Sequence, residues 1–177
     1  MEKSELMNNS TAVIEENALP KEQVLDNIEN EEEEVKQVAG QRYLTFELEG
    51  EEYGVKIEHV IEIIGLQDIT QLPGTPKYVK GLINLRGKII PLIDAREKFK
   101  KPKAEYDDRT CIVVLEVTNI MVGLVVDTIS DVVNIPDNEK EDAPNIGKIK
   151  ANKYIKEIAK INNKVKLLID CEKLINE

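Results

Sequence analysis

From Tyr43 onward the chain alternates. Tyr43, Thr45 and Glu47 fall on one face and Leu44, Phe46 and Leu48 on the other, the period of two that predicts a half-buried strand. Gly50 marks a turn, and Glu52–Ile57 is expected to return beside the first strand. Cys111–Val117 and Val122–Val126 are continuous, largely β-branched runs, as expected of strands covered on both faces. Ile57–Ile64 carries two signatures. Ile57, Val60, Ile61 and Ile64 fit a helical stripe, while the β-branched density favours a strand, so the segment reads as a short helical turn leading into a strand. If Val60–Ile64 is extended, Val60 and Glu62 alternate onto one face. The stretch Leu72-Pro73-Gly74-Thr75-Pro76 predicts a stiff loop, because Pro76 disfavours helix at Thr75 and Gly74 permits a positive φ. Leu82–Leu85 and Ile89–Ile93 read as two strands joined through Arg86-Gly87-Lys88. Asp94 then opens a helix, with Glu97 three residues on in the spacing of a capping box. Pro91 has no N–H for a central ladder and predicts an edge or a bulge.

This pattern occurs twice. Residues 78–99, YVKGLINLRGKIIPLIDAREKF, recur without a gap 76 positions later as YIKEIAKINNKVKLLIDCEKLI, residues 154–175, with six of 22 positions identical. Residues 46–64 lie over 115–133 at an offset of 69, with Gly54 on Gly123 and Glu47 on Glu116. A duplicated half-domain accounts for both alignments. Packing residues must persist in both copies, whereas exposed ones are free to diverge, and the first copy alone carries Asn84, Arg86, Gly87 and Pro91. About ten short strands with little helix predict an all-β protein of two small barrels. Each barrel alone is near the lower size limit for stability, so a shared core is expected.

The formal charge of −10 is uneven. Residues 1–40 hold 11 acids and three bases, against 23 acids and 21 bases in residues 41–177. The first 40 residues, with the Glu31–Glu34 run and no aromatic, bury too little to offset ordering entropy and are expected to form a disordered acidic extension to a single domain, 41–177. Val24, Leu25, Ile28, Val35 and Val38 within it have only loosely helical spacing. The remainder, nearly neutral, has no concentrated basic face for a nucleic acid. Cys111 and Cys171 sit in apolar runs without metal-ligand or CxxC spacing and are expected to be reduced, buried thiols. No apolar stretch approaches the roughly 20 residues that span a bilayer, and no secretory leader is evident. A soluble, cytoplasmic protein is expected.

Catalytic apparatus is sparse. His59 is the only histidine, and Glu51/Glu52 and Asp107/Asp108 lie at turns where solvated carboxylates are ordinary. No phosphate-binding glycine motif and no metal-ligand spacing occur, so neither cofactor nor metal is expected. Lys98–Lys103 reads as an exposed basic loop. Arg86, on a tight turn beside Gly87, faces Asn162-Asn163 in the repeat and is placed to pair with a carboxylate or backbone acceptor of another chain.

YLTFELEGEEYGVKIEHVIEII, followed by LPGTPKYVKGLINLRGKIIPLIDAREKF, closely resembles the CheW-type chemotaxis coupling proteins, and RTCIVVLEV, GLVVDTISDVV and KVKLLIDCEKLI continue the resemblance across residues 41–177. It implies two intertwined five-stranded barrels like SH3 domains and no enzymatic activity. It also implies an adaptor that couples membrane chemoreceptors to the histidine kinase CheA and is recruited to receptor arrays through these partners. By resemblance, the receptor's hairpin tip meets Val60, Glu62, Arg86 and Ile129; one kinase contact uses Leu66, Ile69 and Thr70, and an opposite one falls at Asn145 and Ile146. Three features depart from the family pattern. Glu157 replaces a usual glycine and predicts a differently kinked last hairpin, Ala143–Ile146 matches only in part, and the acidic extension has no counterpart. The alternative from fold alone is a generic SH3-like scaffold for linear peptides. Such scaffolds present exposed aromatics for proline-rich ligands, and a chain with no tryptophan and two phenylalanines offers few. A third possibility, an enzyme using His59 with a carboxylate, lacks a visible orienting partner.

Overall fold

A computed structural model describes residues 39–146, 149–150 and 152–177. Most of the acidic segment, including its loosely helical apolar positions, lies outside them. The first half contributes β1 (Gly40–Leu48), β2 (Glu51–Lys56), a 3-10 turn at Ile57–His59, β3 (Val60–Gly65), β4 (Val79–Leu85), β5 (Lys88–Asp94) and a helix at Ala95–Lys98. The second half contributes β6 (Cys111–Val117), β7 (Ile120–Val126), β8 (Thr128–Pro136), β9 (Lys140–Asp142), β10 (Asn145–Ile146), β11 (Ile149–Lys150), β12 (Ile155–Ile161), β13 (Lys164–Ile169) and a helix at Cys171–Asn176.

The halves exchange their first hairpins. One sheet runs β8-β1-β2-β13-β12-β9, the other β3-β6-β7-β5-β4. The β1–β2 hairpin thus sits among second-half strands, and β6–β7 among first-half strands. Neither ladder closes on itself, so the hydrogen bonding defines two open sheets with exchanged halves. Where a half meets the other inside a sheet the pairing is parallel, β13 with β2 and β5 with β7. Phe46, Leu48, Tyr53 and Val55 from one sheet and Val113, Leu115, Leu124 and Val126 from the other fill a single shared core. This joint burial gives both halves the apolar area that neither has alone. A smaller apolar cluster lies behind each sheet on its far side.

Four hairpin turns place two consecutive residues at positive φ: Glu49-Gly50, Arg86-Gly87, Thr118-Asn119 and Asn162-Asn163. That is the turn whose twist matches the flanking strands. Bulges are shared by the halves as well. β3 shifts register between Val60 and Glu62, and β1 against β8 shifts opposite Ile129 and Asp131, the equivalent place. The inserted residue breaks the alternation. Val60 pairs with Leu115 of the shared core while Glu62 pairs with Val114 of the outer cluster, so the two do not share a face.

β5 lies inside its sheet, not at an edge as Pro91 suggested. The parallel ladder with β7 begins at Leu92, so no bond toward β7 requires an N–H at Pro91. The capping box is half made. Asp94 accepts from the Glu97 N–H at 3.0 Å, but the Asp94 N–H goes to the Tyr78 carbonyl and the Glu97 carboxylate pairs with Lys80. The last hairpin has the same bulge as its counterpart, between Ile155 and Glu157 as between Val79 and Gly81. The difference is in the backbone: Gly81 has φ +142°, which Glu157 does not share.

Candidate functional site

The β4–β5 turn lifts Arg86 off the sheet. Its φ of 51° belongs to the left-handed region, which costs an ordinary L-residue about 1 kcal/mol and which asparagine or glycine occupies more easily. The turn is braced by Asn84, whose Oδ1 accepts from the Gly87 N–H at 2.8 Å. The Arg86 side chain is 78% exposed, yet its Nη2 donates to Oε2 of Glu62 at 2.7 Å. Glu62 projects from β3 and is only 19% exposed, so the guanidinium is aimed along the β3 edge with donors left over. Of the residues that resemblance assigned to the receptor, Arg86 and Glu62 are in direct contact. Val60 and Ile129 instead pack against the shared core from the two edge strands β3 and β8. They are equivalent positions of the duplication, half-buried where the sheets meet.

Sequence reading missed Ile61 and Ile63 on β3, 49% and 44% exposed, and Ile89 beyond the turn at 61%. The exposure of Ile61 and Ile63 follows the alternating burial along β3, an edge strand of its sheet, and that position is not legible without the sheet order. All three are exposed aliphatics of the sheet that carries the Arg86 turn. Among the described residues, β3 has β6 on one side and no strand on the other.

Leu66, Ile69 and Thr70 lie on the connection from β3 to β4. Leu66 is 38% exposed, and Ile69 packs against the outer cluster of the five-stranded sheet. Thr70 bridges Leu82 of β4 through both backbone groups, at 2.9 and 2.8 Å. Gly81, which sequence reading noted only through its replacement by Glu157, makes that bridge possible. A Cβ there would stand 2.2 Å from the Thr70 carbonyl oxygen. Beside the bridge is a cleft of about 640 Å³ lined by Ile69, Gln71, Lys80, Lys103, Ala104, Glu105 and Tyr106. Tyr106 Oη donates to Asp94 Oδ2 at 2.7 Å, and burial together with that carboxylate pushes the phenol up from its ordinary pKa. Asn145 and Ile146 form β10, paired with Lys150 and Ile149 of β11. Their backbone ladder is separate from the Thr70–Leu82 bridge. His59 closes the 3-10 turn, 3.9 Å from the Glu58 carboxylate, which is solvent-exposed. Among the described residues no group of histidine, cysteine or acidic side chains is arranged to hold a metal. No helix there is long and apolar enough to cross a membrane.

The fold is thus a duplicated β architecture with a carboxylate-tethered arginine on one turn and a loop bridged to β4. The CheW-like domain model matches residues 42–177, and the chain belongs to that family of chemotaxis adaptors. It is 37% identical over 140 residues to chemotaxis protein CheW of Klebsiella aerogenes, covering 79% of this chain and 84% of that protein. Against chemotaxis protein CheW of Bacillus subtilis it is 32% identical over 138 residues, covering 78% and 88%. The crystal structure of the scaffolding protein TtCheW from Thermoanaerobacter tengcongensis superposes with a TM-score of 0.73 at 32% identity, over 78% of this chain and 94% of that one.

Proposed function

We propose that the protein couples chemoreceptors to the histidine kinase CheA as a non-enzymatic adaptor in the cytoplasm, recruited to receptor arrays by its partners. The receptor's cytoplasmic hairpin tip meets Arg86 and Glu62 together with Val60 and Ile129, where the two edge strands converge on the shared core. The kinase regulatory domain meets Leu66, Ile69 and Thr70, and a second kinase contact uses Asn145 and Ile146. The observation that carries this reading is Arg86. Its guanidinium is largely exposed, is held by a single carboxylate and keeps further donors for another chain, at a turn where the repeat has asparagine. Recognition supplies the reason for it. Coupling needs no chemistry: several modest contacts in an array act together through effective concentration.

The test is a titration of the full chain, wild type and Arg86→Glu, with a receptor cytoplasmic fragment and separately with CheA. Arg86→Glu sets a second carboxylate against Glu62 and is expected to abolish receptor binding while leaving CheA binding and the circular dichroism spectrum unchanged. Unchanged receptor affinity would remove Arg86 from the site, and loss of both partners by a folded protein would remove the proposed division of surfaces.

A further inference from the structure

The exchanged hairpins raise a problem of selection. β2 sits beside β13 and β7 beside β5, in the same parallel register: Leu168 opposite Gly54 in one seam, Leu92 opposite Gly123 in the other. In both seams the leucine lies over the glycine. A Cβ at Gly54 would meet Leu168 Cδ2 at 2.9 Å, and one at Gly123 would meet Leu92 Cδ2 at 2.4 Å. This lock is common to both seams and cannot tell β2 from β7. Two residues away the seams differ. Glu52 stands opposite Lys166, 9% and 6% exposed, and their carboxylate and ammonium are in contact. Lys164 adds a second, outer contact to Glu52 at 3.2 Å. By the repeat's offsets the equivalent positions in the other seam are Met121 and Ile90, apolar and packed in the outer cluster.

We propose that the buried Glu52–Lys166 pair is the selector that sends the β1–β2 hairpin to β13, and so enforces the exchange of hairpins between the halves. In the alternative pairing, within one chain or between two copies, Glu52 would lie against Ile90 and Lys166 against Met121. Each would then be a charge in an apolar layer without its partner, the arrangement that proteins tolerate least. A buried polar contact that fixes register and partner at little gain in stability is an established use of such pairs.

Three exposed positions report the pairing. Glu51 and Val165 each sit one residue before the Glu52–Lys166 pair that opens the present seam, and Ile89 is the counterpart of Val165 in the other half. In the full chain with Cys111→Val and Cys171→Ala, Glu51→Cys is combined with Val165→Cys and Ile89→Cys. Each protein is refolded from denaturant and oxidised, and its disulfides are mapped by peptide mass. Strands of adjacent ladders bring Cα atoms within disulfide reach. With Glu52 and Lys166 intact, the 51–165 bond is expected almost alone. In Glu52→Met/Lys166→Ile the 51–89 bond is expected to rise at least roughly tenfold, in monomer or dimer fractions, because the two seams are then alike. In Glu52→Lys/Lys166→Glu it is expected to fall back. A double apolar variant that refolds with 51–165 alone would overturn the proposal. So would a charge-swapped variant that fails to restore it, or a double apolar variant that does not fold, since that would make the pair a stabiliser and not a selector.

Discussion

Behind the five-stranded sheet, Ile83, Leu85, Ile90, Leu92, Ile112, Val114 and Val125 close an all-aliphatic cluster. Behind the six-stranded sheet the equivalent positions are Ala159, Ile161, Lys166, Leu168, Tyr43, Thr45 and Lys56. The backbone plan is the same and the chemistry is not. Tyr43, Thr45 and Lys166 are as buried as their aliphatic counterparts, and their polar atoms are satisfied: Thr45 by the Asp131 backbone, Tyr43 by Gln41, Lys166 by Glu52. Duplication therefore preserves strand order, turns and bulges, which depend on backbone geometry. It leaves side-chain volume and charge to be settled separately in each half. The same holds at the surface, where Arg86 and Glu62 face each other in the first half and Asn162 and Asp131 occupy those positions in the second.

The contrast is broken most severely at the shared bulge. Gly81→Glu, which copies the second half into the first, meets both a φ that glutamate resists and the Thr70 carbonyl. Strain and overlap of about 2 kcal/mol each give an expected loss of about 4 kcal/mol in urea unfolding. The reverse change, Glu157→Gly, costs no more than about 1 kcal/mol, because glycine tolerates that backbone and only chain entropy is lost.

A second comparison sets Ile90→Ala against Lys166→Ala at one position of the two halves. Both are expected to cost about 3 kcal/mol at pH 7, the first by opening a cavity and the second by leaving Glu52 with only the exposed Lys164. Acid separates them. The hydrogen bond from Lys166 holds the Glu52 carboxyl below its ordinary value. Its contribution is therefore complete above the unfolded pKa of about 4.3 and is lost as pH falls through the lower folded value. At pH 3.5 the cost of Lys166→Ala should shrink while that of Ile90→Ala stays. Equal shrinkage would mean that Glu52 draws nothing from Lys166.

The smallest effect concerns the turn. Arg86→Asn gives the first half the residue of the second and removes a left-handed arginine, for an expected gain of about 0.5 kcal/mol after the exposed pair with Glu62 is lost. Thermal unfolding reads this directly.

Local pattern carried much of this fold. The strand at Tyr43–Leu48, the helical turn before Val60 and the Asp94 cap are consequences of residues within a few positions of each other, and the repeat exposed the architecture that multiplies them. The half-burial expected from the alternation in that strand is not found, because Tyr43 and Thr45 are buried behind the sheet as fully as Leu44 and Phe46 are in front of it. Features set by a distant strand were not legible. The bulge that separates Val60 from Glu62 exists only against β6, and Pro91 looks misplaced until the ladder with β7 is seen to begin one residue later. Lys166 lies in Lys164-Val165-Lys166 and reads as surface; only β2, more than a hundred residues earlier, makes it interior. At the candidate site, Arg86 stood out because its counterpart is asparagine, whereas the carboxylate that holds it required the fold.

The central claim is that the halves share a fold and divide the work, with the charged receptor contact, Arg86, carried by the first alone. Calorimetric titration of a receptor cytoplasmic fragment into Arg86→Glu and Asn162→Glu, the same change at equivalent turns, tests it most directly. The account expects binding to vanish in the first and to match wild type in the second, with both proteins folded. Equal affinity in the two variants, whether lost or kept, would contradict it.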